Sequence, residues 1–409
     1  MANANNTTDD VIVLNEEGAK FGRAMLIAGL VLIAVGVGVG LSFDTRGLKG
    51  LLHSYLIAFM YVLSLGLGLL WIVIIQHLSK ARWSVVVRRV AEVLAAGLPI
   101  VCALGLGIII PMWLHNADLY IWVDHELVQN DHLLHHKAPY LNVSFFTVRC
   151  AVYFAFWGGL STFFLKTSVR QDETGKAELS GLMHGVSAPA MILFAITLTF
   201  ASIDFLMSLD PTWFSTMFGV YYFAGCIMSG HALWALSLMW LQSHGHITTS
   251  VTAEHYQDIG KMMFGFVVFW AYVGFSQFML IWYADIPEET HWYHWRFEEP
   301  WKQVSIALLI GHFVLPFLGL MSRWVKRKKV SLAFWCIWLL IVQYIDMFWL
   351  VYPNGEAADR VPPSALVDLT LAAGMVALFL GSAIRRAAGI NLIPTKDPAL
   401  SDSLAFHNI

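Results

Sequence analysis

Residues 181–219 read GLMHGVSAPAMILFAITLTFASIDFLMSLDPTWFSTMFG. The first part, Gly181 to Met207, is apolar and long enough to cross roughly 30 Å of bilayer hydrocarbon. It carries His184 near one end and Asp204 near the other. The turn Ser208-Leu209-Asp210-Pro211-Thr212-Trp213 follows. There Asp210 can accept from free backbone N–H groups, and Pro211 sits where a helix needs no donor. The pattern predicts one membrane helix, a tight turn and a second helix starting at the turn. Asp210 reads as a cap at the water boundary. Asp204 lies about 8 Å inside the apolar zone at 1.5 Å per residue, where an ionisable side chain needs a partner or a water-filled path.

Working outward, the same character fills the chain. Of 409 residues, 58% are hydrophobic and 13% are charged, against about 25% charged in soluble domains. A net charge of −3 gives no footing for nucleic acid. Segments long enough to span a bilayer are predicted at 24–41, 51–79, 90–114, 143–166, 181–207, 213–242, 262–284, 303–322, 331–352 and 364–384. Backbone polar groups in lipid must be satisfied internally, so these are helices. The expected fold is an all-α integral membrane protein with about ten transmembrane helices. A polar, acidic segment, 1–23, precedes the membrane domain, 24–384, and a tail, 385–409, follows it. Met1 to Lys20 lacks the basic start of a secretory signal, so the first apolar segment is expected to stay in place.

Basic residues alternate between loops. Lys80, Arg82, Arg88 and Arg89, then Lys166, Arg170 and Lys176, then Arg323 and Lys326 to Lys329, then Arg385 and Arg386, share one side with most of the 25 Lys and Arg residues. That side is expected to be cytoplasmic, with both termini on it. The opposite loops, Leu114 to Asn142 and Ala284 to Lys302, are rich in aromatics, acids and histidines, as a surface that docks an extramembrane partner would be. Their His132-x-x-His135-His136 spacing is a weak metal pattern, and no metal is assigned. Cys102, Cys150, Cys226 and Cys336 stand singly, without the spacing of a covalent haem, an iron–sulphur cluster or zinc. Pro99, Pro189 and Pro316 fall inside spans, where the bonds they remove can line a cavity or serve packing alone.

Ionisable groups within the spans form a ladder. His77, His184 and His231 are near the basic side. His312 is central, with Tyr272 and Gln277 on the preceding helix. His53, Arg149, Asp204, Asp346 and Asp368 lie toward the other side, with Gln343 on the same helix face as Asp346. Histidine titrates near pH 7, and a carboxyl withdrawn from water can do so too, so the ladder suits proton transfer. His184, Asp204, His231, His312 and Asp346 are its candidates. A competing reading pairs Arg149 with Asp204, two turns into adjacent helices, which leaves Asp204 ionised and a poor carrier. A bis-His haem would need facing imidazoles at one depth, for which only His184, His231 and His77 qualify. No catalytic residue and no bound cofactor are assigned.

Three runs of sequence resemble a known family. They are Ser54 to Phe59 continuing through Gln76-His77-Leu78-Ser79-Lys80-Ala81-Arg82-Trp83 to Glu92, then Lys137 to Asn142 with Phe145, Phe146 and Arg149, then Ser208 to Gly219. These resemble membrane subunits of bacterial alternative complex III, in the polysulphide reductase, NrfD-like group, and most resemble the ActF type. The resemblance implies two four-helix bundles, helices two to five (51–207) and six to nine (213–352), flanked by one helix at each end. It implies a subunit of a quinol:cytochrome c oxidoreductase of the bacterial cytoplasmic membrane. Its partners would be a homologous membrane subunit, an iron–sulphur protein and multi-haem cytochrome c subunits, which hold the redox centres. Quinol would be the substrate of the complex, and proton routes would run through the membrane subunits. A quinone site in this chain would need His53 or Tyr55 to converge with Asp204 or Asp346. The alternative expectation is a proton-coupled secondary transporter, for which buried acids and kinked helices are equally natural.

Overall fold

The computed structural model describes residues 10–14, 16–42, 44–354 and 360–408. Much of the acidic segment expected ahead of the first helix, and part of the 353–363 loop, lie outside the described residues. Ten helices are long and apolar enough to cross a membrane. They are α1 (Glu16–Ser42), α2 (Gly47–Leu78), α3 (Val85–Trp113), α4 (Val143–Thr174), α5 (Glu178–Leu209), α6 (Phe218–Ser243), α7 (Ala253–Ala284), α8 (Trp301–Met321), α9 (Lys329–Val351) and α10 (Ala365–Ala387). The protein is an all-α multi-pass membrane protein.

The helices outrun the apolar segments where polar first or last turns stand clear of hydrocarbon. α1 begins at Glu16, α7 at Ala253, and α4 runs on to Thr174. α3 is interrupted near Gly97, where Pro99 opens the next piece, and again at Gly105. α8 contains a π-helical turn, Leu309–Val314. Pro316, just beyond it, has no N–H to give the His312 carbonyl, and the loosened turn frees the Gly311 carbonyl for the Trp338 indole N–H at 2.7 Å.

Two rings of four helices form the body. α2 packs on α3 and α5, and α4 closes that ring between α3 and α5. α6 packs on α7 and α9, with α8 between α7 and α9. The rings meet most extensively at the crossing of α2 and α6, with α5 against α6 and α2 against α9 alongside it. A methyl group on Gly68 would run into the Cys226 carbonyl, and one on Gly230 would lie 2.9 Å from the Gly68 Cα, so the two backbones touch. α2 is consequently surrounded, with its most apolar stretch wholly buried.

The two flanking helices do not sit on opposite sides. α1 and α10 pair with each other, and α10 packs on α2. The buried residues of α1 are Gly22, Gly29, Gly36 and Gly40. A methyl group on Gly29 would stand 2.8 Å from the Gly374 carbonyl oxygen, and one on Gly381 would stand 2.9 Å from that of Gly22.

Both described chain ends meet on one face, here the terminal face. The Leu392 N–H donates to the Ile12 carbonyl at 2.7 Å. Asp10 accepts from the backbone and hydroxyl of Ser250 in the α6–α7 loop, at 2.8 and 2.5 Å. The segment expected as a tail is therefore folded against the helix ends. Asp397 pairs with Arg88 at 2.6 Å, and Asn408 donates its N–H to Glu254 at 3.2 Å.

The α2–α6 contact yields a direct test. Gly68→Leu is expected to lower the thermal unfolding midpoint or abolish folded yield, because overpacking against backbone costs about 1–3 kcal/mol or more. Gly38→Leu, in open space on α1, should leave both unchanged.

Candidate functional site

Each ring carries a buried carboxylate five residues before the end of its last helix: Asp204 ahead of Leu209, and Asp346 ahead of Val351. The surroundings of the two differ in the property that matters for proton exchange.

Asp204 is fully buried. Arg149 grips it with two bonds, Nε to Oδ2 and Nη2 to Oδ1, both 2.9 Å. The Tyr153 hydroxyl donates to Oδ2 at 2.8 Å and the Tyr140 hydroxyl to Oδ1 at 3.0 Å. The guanidinium also lies 3.8 Å from the Tyr140 ring centre and donates to the Tyr140 carbonyl at 2.9 Å. The planar fork thus meets two oxygens, a carbonyl and an aromatic face together. The loop between α3 and α4 seals this end of the ring. Tyr120, Trp122 and Lys137 donate to the carbonyls of Phe205, Ser208 and Pro211.

Asp346 is 1% exposed and has neutral donors only. The Tyr221 hydroxyl donates to Oδ1 at 2.5 Å and the Trp270 indole to Oδ2 at 3.3 Å. No cation bonds to it among the described residues. His312, in the π-helical turn, lies 3.9 Å from the Trp270 ring, ring centre to ring centre. Both His312 ring nitrogens are buried without a hydrogen-bond partner, as are both amide atoms of Gln343, one turn from Asp346. Tyr221, Trp270, His312 and Asp346 come one from each helix of the second ring. A carboxyl with neutral donors can gain and lose a proton without breaking an ion pair, and unpaired buried polar atoms beside it suit bridging water.

The ladder of histidines is otherwise not continuous. His184 donates from Nδ1 to the His77 carbonyl at 3.1 Å, and His231 from Nδ1 to the Ile227 carbonyl at 2.8 Å, amid Trp71, Trp234 and Phe266. His53 Nδ1 bonds the Lys49 carbonyl at 2.8 Å, and the Tyr55 hydroxyl donates to the Leu104 carbonyl at 2.7 Å, next to the break in α3. Neither His53 nor Tyr55 bonds to Asp204 or Asp346. His53 instead lies against Tyr352, whose hydroxyl donates to Asp368 at 2.6 Å and accepts from Arg46 at 2.9 Å. The Arg46 guanidinium beside Asp44 holds that carboxyl below the usual carboxylate range.

Asp210 does not start α6, which begins at Phe218. Its Oδ1 accepts from the Thr212 N–H at 3.1 Å, and its Oδ2 lies 2.7 Å from His291 Nε2. This joins the turn to the Pro287–Phe297 helix of the next loop, where Trp292 stacks on Trp213 at 4.4 Å. Many aromatics of these loops are thus turned inward. The short helix His132–Lys137 is present, yet no group of three metal-ligating side chains gathers among the described residues.

One cluster was not anticipated. Arg88 and Arg89, expected as loop cations, are buried in the first turns of α3 around Glu92, which is itself wholly buried. Glu92 Oε1 meets His77 at 3.2 Å and Arg88 at 3.3 Å, and Oε2 meets Arg89 at 3.2 Å. Arg89 continues to Asp172 on α4 at 2.9 Å. The Arg-Arg-x-x-Glu spacing puts all three on one helix face and was the available signal. Beside the cluster, a 270 Å³ cavity is lined by Gln76, His77, Arg88, His184 and Asp397, among others. His77 and His184 are thereby brought together on the terminal face, across the ring from Asp204.

The Arg149–Asp204 geometry sets an expected outcome. Asp204→Asn leaves a buried guanidinium without its counter-charge and should destabilise the protein by about 3–5 kcal/mol. Arg149→Met combined with Asp204→Leu should recover most of that loss, read as unfolding midpoints in detergent.

No protein-family model matches the chain, and a search of curated proteins gives no significant match.

Proposed function

We propose that this chain is a membrane subunit of a quinol-oxidising electron-transfer complex of the alternative complex III type, providing scaffold and a proton path and no redox centre of its own. In this reading it lies in a bacterial cytoplasmic membrane with its terminal face toward the cytoplasm, where the excess of Lys and Arg belongs. Its far-face loops carry the iron–sulphur and cytochrome c partners. The observation that carries the proton path is the Asp346 carboxyl, held by Tyr221 and Trp270 alone and flanked by unpaired His312 and Gln343. Asp204 serves structure in this reading, because Arg149 holds its charge. The family reading is supported by where the resembling runs fall. Lys137 to Asn142 supplies Tyr140 to Asp204, and Ser208 to Gly219 forms the turn that binds His291.

A second reading, a proton-coupled secondary transporter, is favoured by one feature. The π-helical turn at Leu309–Val314 interrupts α8 beside a buried acid, as broken helices do in such proteins. Isolation of the tagged chain from its native membrane separates the two. Co-isolation with haem c and iron–sulphur spectra is expected, whereas a colourless single chain with uptake activity in liposomes overturns the subunit assignment.

Asp346→Asn is expected to leave the isolated assembly intact and to slow proton movement about tenfold or more. Asp346→Glu should retain most of it. Unaltered proton movement in an assembled Asn variant removes Asp346 from the path.

A further inference from the structure

The seam between the α1–α10 pair and the two rings holds a cavity of 410 Å³. It reaches from Phe21 and Trp240, stacked 5.9 Å apart near the terminal face, to Tyr61 at the middle of α2. Leu236, Leu340 and Val376 wall it from α6, α9 and α10. The Ser237 hydroxyl, also in the wall, is already committed to the Leu233 carbonyl at 2.8 Å. A wall of this kind gives water too few partners to stay, since a buried water needs two to four polar contacts. An empty void would forfeit the dispersion contacts of its lining. The helices around the cavity span the membrane, so the medium at its rim is lipid chain.

A separate observation fixes the kind of lipid. Toward the terminal face the two helices on the outer side of the cavity carry Lys20, Arg23, Arg385 and Arg386, all exposed and outnumbering Glu16 and Glu17 in the first turn of α1. Among the described residues none of the four forms an ion pair. Clusters of Lys and Arg where membrane helices leave the bilayer attract anionic headgroups, each contributing about 1 kcal/mol near an anionic surface. We infer that the seam is a binding site for one anionic phospholipid, with an acyl chain in the cavity as far as Tyr61 and the phosphate among Lys20, Arg23, Arg385 and Arg386.

The site does for the α1–α10 pair what side chains do elsewhere in the fold. The pair touches itself through glycines, and side chains such as Phe21 and Val376 border the space beside it without filling it. A lipid chain completes the packing.

The test uses the full chain in mild detergent. The purified wild type is expected to retain one anionic phospholipid by native mass spectrometry. After delipidation, phosphatidylglycerol should raise its unfolding midpoint more than phosphatidylcholine. The double variant Leu236→Trp and Val376→Trp fills the cavity and should lose both the retained lipid and the response. Leu318→Trp, on a face already exposed to lipid, should lose neither. Exchanging all four cations for Gln should abolish the preference for phosphatidylglycerol. Because that variant leaves the core untouched, it keeps the test decisive if the filled variant does not fold. Equal responses of the wild type to the two lipids, or retention of lipid by the filled variant, overturns the proposal.

Discussion

Gly68 and Gly230 bring two helix backbones into contact at the centre of the molecule. Lipid is as apolar as a leucine side chain, so helices in a bilayer gain little from hiding apolar surface and associate through close packing and polar bonds. A crossing without side chains gives the closest approach that packing allows. It fixes α2 and α6 as a common wall, on which α3, α5, α7, α9 and α10 pack directly. The polar clusters then form where four helices around that wall leave a central space.

The two acids show how neighbours assign different work to one residue type. Asp204 and Asp346 occupy equivalent places in the two rings and are equally buried. One meets a guanidinium with the geometry to take both oxygens, and the other meets a phenol and an indole. An ion pair removed from water is costly to break, because the remaining charge cannot be resolvated. A carboxyl among neutral donors has no such lock. The first ring thus binds its acid to a counter-charge, while the second leaves its acid among neutral donors.

Helix number and position were legible because apolar length is a direct physical requirement of the bilayer. The ends were less so, since Glu16 to Arg23, Ala253 to Lys261 and Thr167 to Thr174 continue helices past the hydrocarbon, where hydropathy carries no signal. The α6 start was misplaced because Asp210 has the residue type of a cap but spends its oxygens on Thr212 and His291. The buried acids could be found by depth alone, whereas their partners could not. Tyr221 and Trp270 reach Asp346 from two other helices, with His312 from a third against Trp270, and no spacing in sequence encodes that. Glu92 was hidden differently, because Arg88 and Arg89 matched the pattern of a solvated basic loop so well that the acid four residues on went unweighed. Gly22, Gly29 and Gly36 on α1, and Gly374 and Gly381 on α10, recur every seventh residue, a periodicity that becomes informative only when both helices are set side by side.

The pairing of α1 with α10 orders the making of the protein in time. α1 presents a row of buried glycines to α10 and meets the rings mainly near its ends, through Phe21 against Trp240 and Gly40 against Leu51. Eight spans are made between α1 and α10, so the glycine face of α1 stays unfilled until α10 follows. Closing so long a stretch of chain costs little more than closing a short one, since the entropy rises only with the logarithm of length. Docking of the first helix is thus a report that translation has run through α10, and a chain cut short before α10 carries an unsatisfied glycine face as its mark.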